Sequence, residues 1–443
     1  MAQMLNLWQL RTTLSSLWLL LGMMSLGLPP LVRCRGADVV WLDSLDDAHL
    51  TSARPGHDID VEVSKEVSVG GEPEISISFN HSGKAFRYRL AARDVFAEGA
   101  ELVAHTDEGE QRLTALPVST FVSRLEGQWA SVAWHEDGSV YGLFEHRGEV
   151  LHLHATIQEK PIIALRSHGS GVVRFVASLV GPLDGGAGVA GTVVSAGRRL
   201  RNGTSQASDV GEAPAVISMS AVGGKVDQWW PGCYEGDGRQ HVLSLGIVAD
   251  KAAWDLYKGG LRSKIVAAVS QASFIYEQQM NIRLQIAELS IFQTAKPGSP
   301  TFAGDCADSS EMASGSFMDA KLNSLASYAR PLRGAWHLFT GCGDGQGVIG
   351  AALRNTMCTS EAVSVSQLKA YSSVIAFAHE LGHNLGAGHS FQNGKGKTGG
   401  IMDYETHEVN GVLQFNTKFS RDEMCNAIQA SRPRCGMQFR SST

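Results

Sequence analysis

The chain has 443 residues, 43% of them hydrophobic and 19% charged, with a formal net charge of −6. That length suits about two to three domains, and the composition is that of globular material, which rules out disorder throughout. The mild negative charge offers neither a basic face for nucleic acid nor a polybasic patch for a membrane surface.

Residues 1–36 read as a secretory signal peptide. Arg11 supplies the positive charge, Leu14 to Leu28 is a mostly apolar run, Pro29 and Pro30 stop it, and small residues at Gly36 and Ala37 offer a cleavage point. The run is interrupted by serines and falls short of a membrane span. No later stretch reaches spanning length, so the expectation is a secreted, extracellular protein with no membrane span in its mature form.

Residues 37–180 read as β-rich. Ile75 to Phe79 and Phe86 to Leu90 alternate apolar with polar residues, as half-buried strands do. Trp129 to Trp134, Val140 to Phe144 and Val150 to Ala155 suggest a meander, with turns at Glu136-Asp-Gly138 and His146-Arg-Gly148. His152 and His154 share one strand face, but with no third ligand nearby they read as ordinary strand histidines.

A flexible linker is expected at 181–234, rich in Gly, Ala, Ser and Val and without helical period. It holds Arg198-Arg-Leu-Arg201, an R-x-x-R cluster of the kind a furin-like processing protease cleaves, with Arg198 and Arg201 at the key positions. A solvated basic run is the plain alternative. Asn202 in Asn-Gly-Thr and Asn80 in Asn-His-Ser are N-glycosylation acceptors.

From about residue 235 to 443 the rhythm changes to strands alternating with helices, which argues α/β (α+β) with a mixed sheet. Strands are predicted at 241–250, 282–291, 334–340 and 347–352, and helices near 260–280, 316–330, 371–385 and 420–431. Of the seven cysteines, Cys34 lies beside the signal cut, and between Ala37 and Trp230 there is none. Cys233, Cys306, Cys342, Cys358, Cys425 and Cys435 form an even set that suggests three disulfides in an oxidising compartment. Six cysteines allow 15 pairings; the reading adopted is Cys342–Cys358, Cys425–Cys435 and Cys233–Cys306.

The most informative stretch is His379-Glu-Leu-Gly-His-Asn-Leu-Gly-Ala-Gly-His389, or H-E-x-x-H-x-x-G-x-x-H. On a helix His379 and His383 lie one turn apart on one face and can reach one ion. A positive φ at Gly386 would end the helix and bring His389 in as third ligand. Three protein ligands leave the fourth tetrahedral position of a Zn2+ ion to water, with Glu380 placed as general base for that water. Chance can account for H-E-x-x-H alone, but the longer motif fixes five positions. About a dozen residues on, Gly400-Ile-Met-Asp-Tyr404 places Met402 on a tight turn.

These two segments together resemble the metzincin zinc metalloproteases, with Met402 as the Met-turn beneath the ligands. Leu381, Gly382, Asn384 and Leu385 within the motif make it similar to the adamalysin (reprolysin, ADAM-like) branch. The resemblance runs over roughly 235–440, through His241 to Asp250, Ile265 to Asn281, Trp336 to Cys342 and Gly347 to Ala352. It is similar to short secreted forms without a disintegrin region. One departure is Ser390, where most adamalysins carry Asp and matrixins often carry Ser.

The resemblance implies a metzincin catalytic domain, with a twisted mixed sheet and an active-site helix, preceded by a β-rich propeptide. The activity implied is that of a metalloendopeptidase made as a zymogen and acting on proteins or peptides, with cleavage after Arg201 releasing it. Ile401, Asp403, Tyr404 and the loop after Val363 are expected to shape the substrate pocket. The strand from Gly347 is expected to offer an unpaired edge to an extended peptide. Without a propeptide cysteine to cap the metal, latency must come from steric cover or another ligand. Calcium is possible but unsupported by the sequence. Two other readings are a matrixin-like or other metzincin, and a catalytically weak secreted binding protein that retains zinc.

Overall fold

The computed structural model describes residues 39–43, 58–67, 73–81, 84–114, 120–125, 128–134, 140–146, 149–155, 172–180, 230–306, 316–328, 330–343, 348–368, 372–390, 398–403, 408–409 and 412–442. The expected signal segment, Cys34, Arg198, Arg201, Asn202 and Tyr404 lie outside the described residues.

The strand rhythm of the N-terminal third builds a closed antiparallel barrel. Its members are β2 (Asp58–Val67), β3 (Pro73–His81), β4 (Lys84–Ala92), β7 (Thr120–Leu125), β8 (Gln128–Trp134), β9 (Val140–His146), β10 (Glu149–Ala155) and β11 (Val172–Val180). Closure pairs every strand on both sides, so the barrel leaves no open edge. Ile75, Ile77, Tyr88 and Leu90 alternate inward as the period-2 pattern requires, and all are buried. Asn80 lies on β3 and His152 and His154 on β10.

Three strands of the same region do not enter the barrel. β1 (Val39–Asp43), β5 (Phe96–Thr106) and β6 (Gly109–Arg112) belong instead to the large sheet of the C-terminal half. That sheet also holds β12 (His241–Ala249), β13 (Ile282–Phe292), β14 (Ala335–Thr340), β15 (Val348–Leu353) and β16 (Val363–Gln367). Its order is β1-β15-β16-β14-β12-β13-β5-β6, and a short β19 (Phe439–Ser441) pairs with β12. The central strands are parallel, whereas β15 runs antiparallel to β16 and β1 antiparallel to β15. β12 is buried at every residue, as expected for a parallel strand covered on both faces.

The α-helices are α1 (Lys251–Tyr257), α2 (Leu261–Met280), α3 (Ser316–Ser327), α4 (Ser372–Asn384) and α5 (Thr417–Cys435), and α2 to α5 fall close to their expected places. α1 was not anticipated. Asp250 starts it by accepting a hydrogen bond from Ala253 N at 2.8 Å, as an N-cap aspartate does. α5 starts earlier than expected because Asn416 caps it, and it continues past Pro433 to Cys435. The segment expected as a loop after Val363 is strand β16, held between β14 and β15.

α2 is buried almost all round, because the sheet covers one side and the barrel the other. Trp129 on β8 stacks on Phe274 with ring centroids 4.2 Å apart, and Ser131 Oγ lies 3.4 Å from Ser270 Oγ. Arg93 completes the contact. Its Nη2 donates to Glu277 Oε2 at 2.5 Å, and Glu277 also accepts from Ser273 Oγ at 2.7 Å and Gln240 Nε2 at 3.0 Å. The Glu277 side chain is 2% exposed, and burial lowers the Arg93 guanidinium to about 10, still charged at neutral pH. Arg93→Ala would leave that carboxylate buried without its cation, at an expected cost of about 3–5 kcal/mol in urea unfolding. A loss below about 1 kcal/mol would show that the pair does not join the two halves.

The three disulfides are Cys233–Cys425, Cys306–Cys342 and Cys358–Cys435, with Cα separations of 4.6, 5.2 and 5.1 Å. The number expected is present, but each of the three expected pairings is wrong. Nearness along the chain misled: Cys233 precedes β12 yet meets α5 192 residues later, and Cys358, after β15, meets the end of α5. Two bridges therefore tie α5 to the sheet side of the molecule.

Candidate metal centre

α4 carries the first two histidines. Ser373, Ile375, Ala376, Phe377 and Ala378 are all buried, so the helix is enclosed by β15, β16 and α2. Tyr276 on α2 donates from its hydroxyl to Ala378 O at 2.8 Å, which fixes the helix just ahead of His379. At its other end Asn384 Nδ2 donates to Leu353 O at 2.8 Å and Val363 O at 2.9 Å, fastening the helix to β15 and β16. Gly386 then takes φ +102°, as expected, and a Cβ there would collide with Ala427 Cβ. The chain turns and returns His389.

His379, His383 and His389 come together, their nearest ligand atoms all within 4.8 Å of one another, and ring centroids are 4.7, 5.2 and 4.8 Å apart. The hydrogen bonds decide which nitrogens face the centre. His379 Nδ1 lies 2.7 Å from Ile401 O and His383 Nδ1 2.8 Å from Ala387 O; a carbonyl can only accept, so both Nδ1 atoms carry the proton. The Nε2 atoms are then bare lone pairs, yet they face each other at 3.0 Å. Two acceptors at that distance repel unless a cation lies between them. Zinc–nitrogen bonds of about 2.0–2.1 Å at tetrahedral angles put two such nitrogens about 3.3 Å apart, so the donor set fits a zinc-sized ion. Burial keeps the His383 ring neutral, pushing its pKa well down with a further push from His389. A neutral imidazole is what a metal requires.

Glu380 is fully buried, and neither carboxylate oxygen has a hydrogen-bond partner among the described residues. Burial pushes its pKa well up. Gly350 on β15 abuts it: a Cβ there would collide with Glu380 Oε1. An unpartnered buried carboxylate beside three convergent imidazoles is expensive as structure alone.

Met402 is buried under α4, its Sδ 3.0 Å from where a Cβ of Gly382 would lie. Ile401 and Asp403, expected at the substrate pocket, hold the turn instead. Both are wholly buried; Ile401 gives its carbonyl to His379, and Asp403 Oδ2 accepts from Thr398 N at 2.6 Å, Gly399 N at 2.7 Å and Thr398 Oγ1 at 2.8 Å. Ser390 joins through Thr398 Oγ1 at 2.5 Å and through its own N–H to Met402 O at 3.2 Å. Ser390 and Asp403 are thus joined through Thr398.

The sequence reading missed Arg354 and Glu423. Arg354 Nε donates to Gly386 O at 2.9 Å and its Nη2 pairs with Glu423 Oε1 at 3.0 Å, while Glu423 Oε2 accepts from Gly388 N at 2.6 Å. Together they pin the turn that presents His389. They stand 69 residues apart in the chain (423 − 354), with no spacing signal to link them.

Below α4, His337 on β14 lies 2.8 Å through Nδ1 from Ser364 Oγ and 2.9 Å through Nε2 from Ser366 Oγ, against Phe377. Burial pushes it from 6.5 down to about 3. The unfolded chain therefore binds a proton below pH 6.5 that the folded chain refuses until about pH 3. Stability should fall with pH through that window by up to about 1.4 kcal/mol per unit from this group. His337→Gln should flatten the slope in a pH series of urea melts; an unchanged slope would contradict the assignment.

Residues 239–424 match the Reprolysin_5 family model, described as metallo-peptidase family M12. Over these residues the chain is similar to the reprolysin-type domains of that family. The M12 match supports a metalloprotease. No curated protein matches the chain. A solved structure titled "Structure of a chaperone-substrate complex" matches at 15% identity over 46% of this chain, with a TM-score of 0.30. The chain spans 36% of that chain, and a likeness so slight carries no argument.

Proposed function

We propose that the chain is a secreted, zinc-dependent metalloendopeptidase of the adamalysin type, made as a precursor. The observation that carries this is the convergence of three imidazoles, with His379 Nε2 and His383 Nε2 3.0 Å apart, beside a buried glutamate that has no hydrogen-bond partner among the described residues. His379, His383 and His389 would hold the metal. When bound, a zinc ion supplies Lewis-acid polarisation of a carbonyl and eases deprotonation of water at its open position. Glu380 takes the proton of the attacking water on a carboxylate oxygen and returns it to the leaving amine nitrogen. The side of β15 that β1 pairs with lies beside Glu380, and main-chain pairing there suits an extended peptide rather than a small molecule. Met402 and the Asp403-braced turn keep the imidazoles in place from below.

Secretion is supported by the three disulfides, which suit an oxidising compartment. No helix among the described residues is long and apolar enough to cross a membrane. Cleavage after Arg201 by a furin-like protease remains the proposed maturation step. The secreted protein should cleave a random peptide library, lose that activity on chelation and regain it with added zinc. Cleavage indifferent to chelators would overturn the reading.

A further inference from the structure

The edge strand beside the candidate centre is not free. The outer side of β15 is taken by β1, with Val39 opposite Leu353, Val40 opposite Ala352, Trp41 opposite Ala351, Leu42 opposite Gly350 and Asp43 opposite Val348. We propose that Val39–Asp43 is a built-in pseudo-substrate, which holds the precursor latent by occupying the edge that a peptide substrate needs. This rests on the peptidase reading above and names the regulation of that same site.

Two observations locate the block. Gly350 is the β15 residue that abuts Glu380, and Leu42 is its partner across the ladder, so β1 passes the candidate base at closest approach. β1 also runs beside α4, the helix that carries Glu380. The orientation is antiparallel, and main-chain pairing needs no particular sequence in the occupant, which is how a sheet edge captures extended peptides. The segment Val-Val-Trp-Leu-Asp is apart from its last residue a strong strand former, with no proline to spoil the ladder.

A third observation explains how such a strand escapes being cut. The register shifts between Leu42 and Asp43, where Ile349 is passed over, so the ladder is irregular beside Gly350. A bulge bends a strand and breaks regular pairing. The unmatched residue, Ile349, is on β15, so pairing becomes uneven between Leu42 and Asp43, and a strand paired this way fits cleavage there poorly. No cysteine lies between Ala37 and Trp230, so the strand itself carries no thiolate. Among the described residues β1 pairs with β15 and not with a barrel strand, β5 or β6, so its ladder is distinct from theirs.

The test uses the secreted chain with Arg198→Ala and Arg201→Ala, its intactness checked by mass, and the same chain lacking residues 39–43. Backbone hydrogen exchange at 348–353 and cleavage of a quenched peptide library are measured on both after loading with zinc. Removing the strand should speed exchange of the ladder amides and raise cleavage by about tenfold or more each. A synthetic peptide of residues 37–45 added in trans should reverse the gain competitively. As a second route, Trp41→Pro and Leu42→Pro are compared, since successive amides point to opposite sides of a strand and one of the two removes a ladder bond. The disruptive one alone should raise activity. Unchanged exchange on deletion overturns the proposal whatever the activity. Faster exchange with no gain in cleavage overturns it too, because the strand then blocks nothing. In that case equal cleavage by both chains leaves the peptidase reading standing, whereas no cleavage by either, with metal bound, brings that reading down as well.

Discussion

Glu380→Gln is expected to lower peptide cleavage by about a hundred- to ten-thousand-fold while leaving metal binding and folding unchanged. Glutamine keeps the size and shape of the side chain, so Gly350, whose missing Cβ makes room for Glu380 Oε1, still fits against it. What is lost is the ability to take a proton. The buried carboxylate has no hydrogen-bond partner among the described residues, so no local network should collapse with the substitution. The amide carries no charge into the buried site, and the variant should fold as the parent does. Equal kcat/KM for parent and variant would refute the assignment of Glu380 as base.

Much of this was legible in the sequence because it is local. The apolar run of β12, the alternation along β13 and the long motif on α4 each declare themselves within about ten to fifteen residues. The positive φ of Gly386 follows from its place between two ligands. Other features depend on contacts that no window contains. The β-rich character of residues 37–180 was plain, but nothing in the pattern separates strands that close a barrel from β1, β5 and β6, which extend a sheet built more than a hundred residues later. The disulfide partners were misread for the same reason, since α5 returns across the molecule to meet Cys233 and Cys358. Asp403 was taken for a pocket residue because its neighbours sit near the site. The structure turns its carboxylate inward onto Thr398 and Gly399, where it braces the turn.

The larger effect should come from His383→Ala. Outer-shell partners of metal ligands typically contribute about 10–100-fold to metal affinity, so loss of a ligand itself should cost more than about a hundredfold. Two consequences follow from the geometry. His383 Nδ1 also donates to Ala387 O, in the turn that returns His389, so the substitution loosens a second ligand along with the first. The remaining pair, His379 and His389, has the longest ring separation of the three, 5.2 Å. Cleavage should fall below detection at ordinary zinc concentrations, and excess zinc should restore little of it.

The most direct measurement is the metal content of the purified secreted protein after exhaustive dialysis, read by elemental mass spectrometry beside His383→Ala. One zinc per chain in the parent and none retained in the variant is the expected result. A parent that carries no stoichiometric metal, or a variant that keeps as much as the parent, would contradict a centre built on His379, His383 and His389.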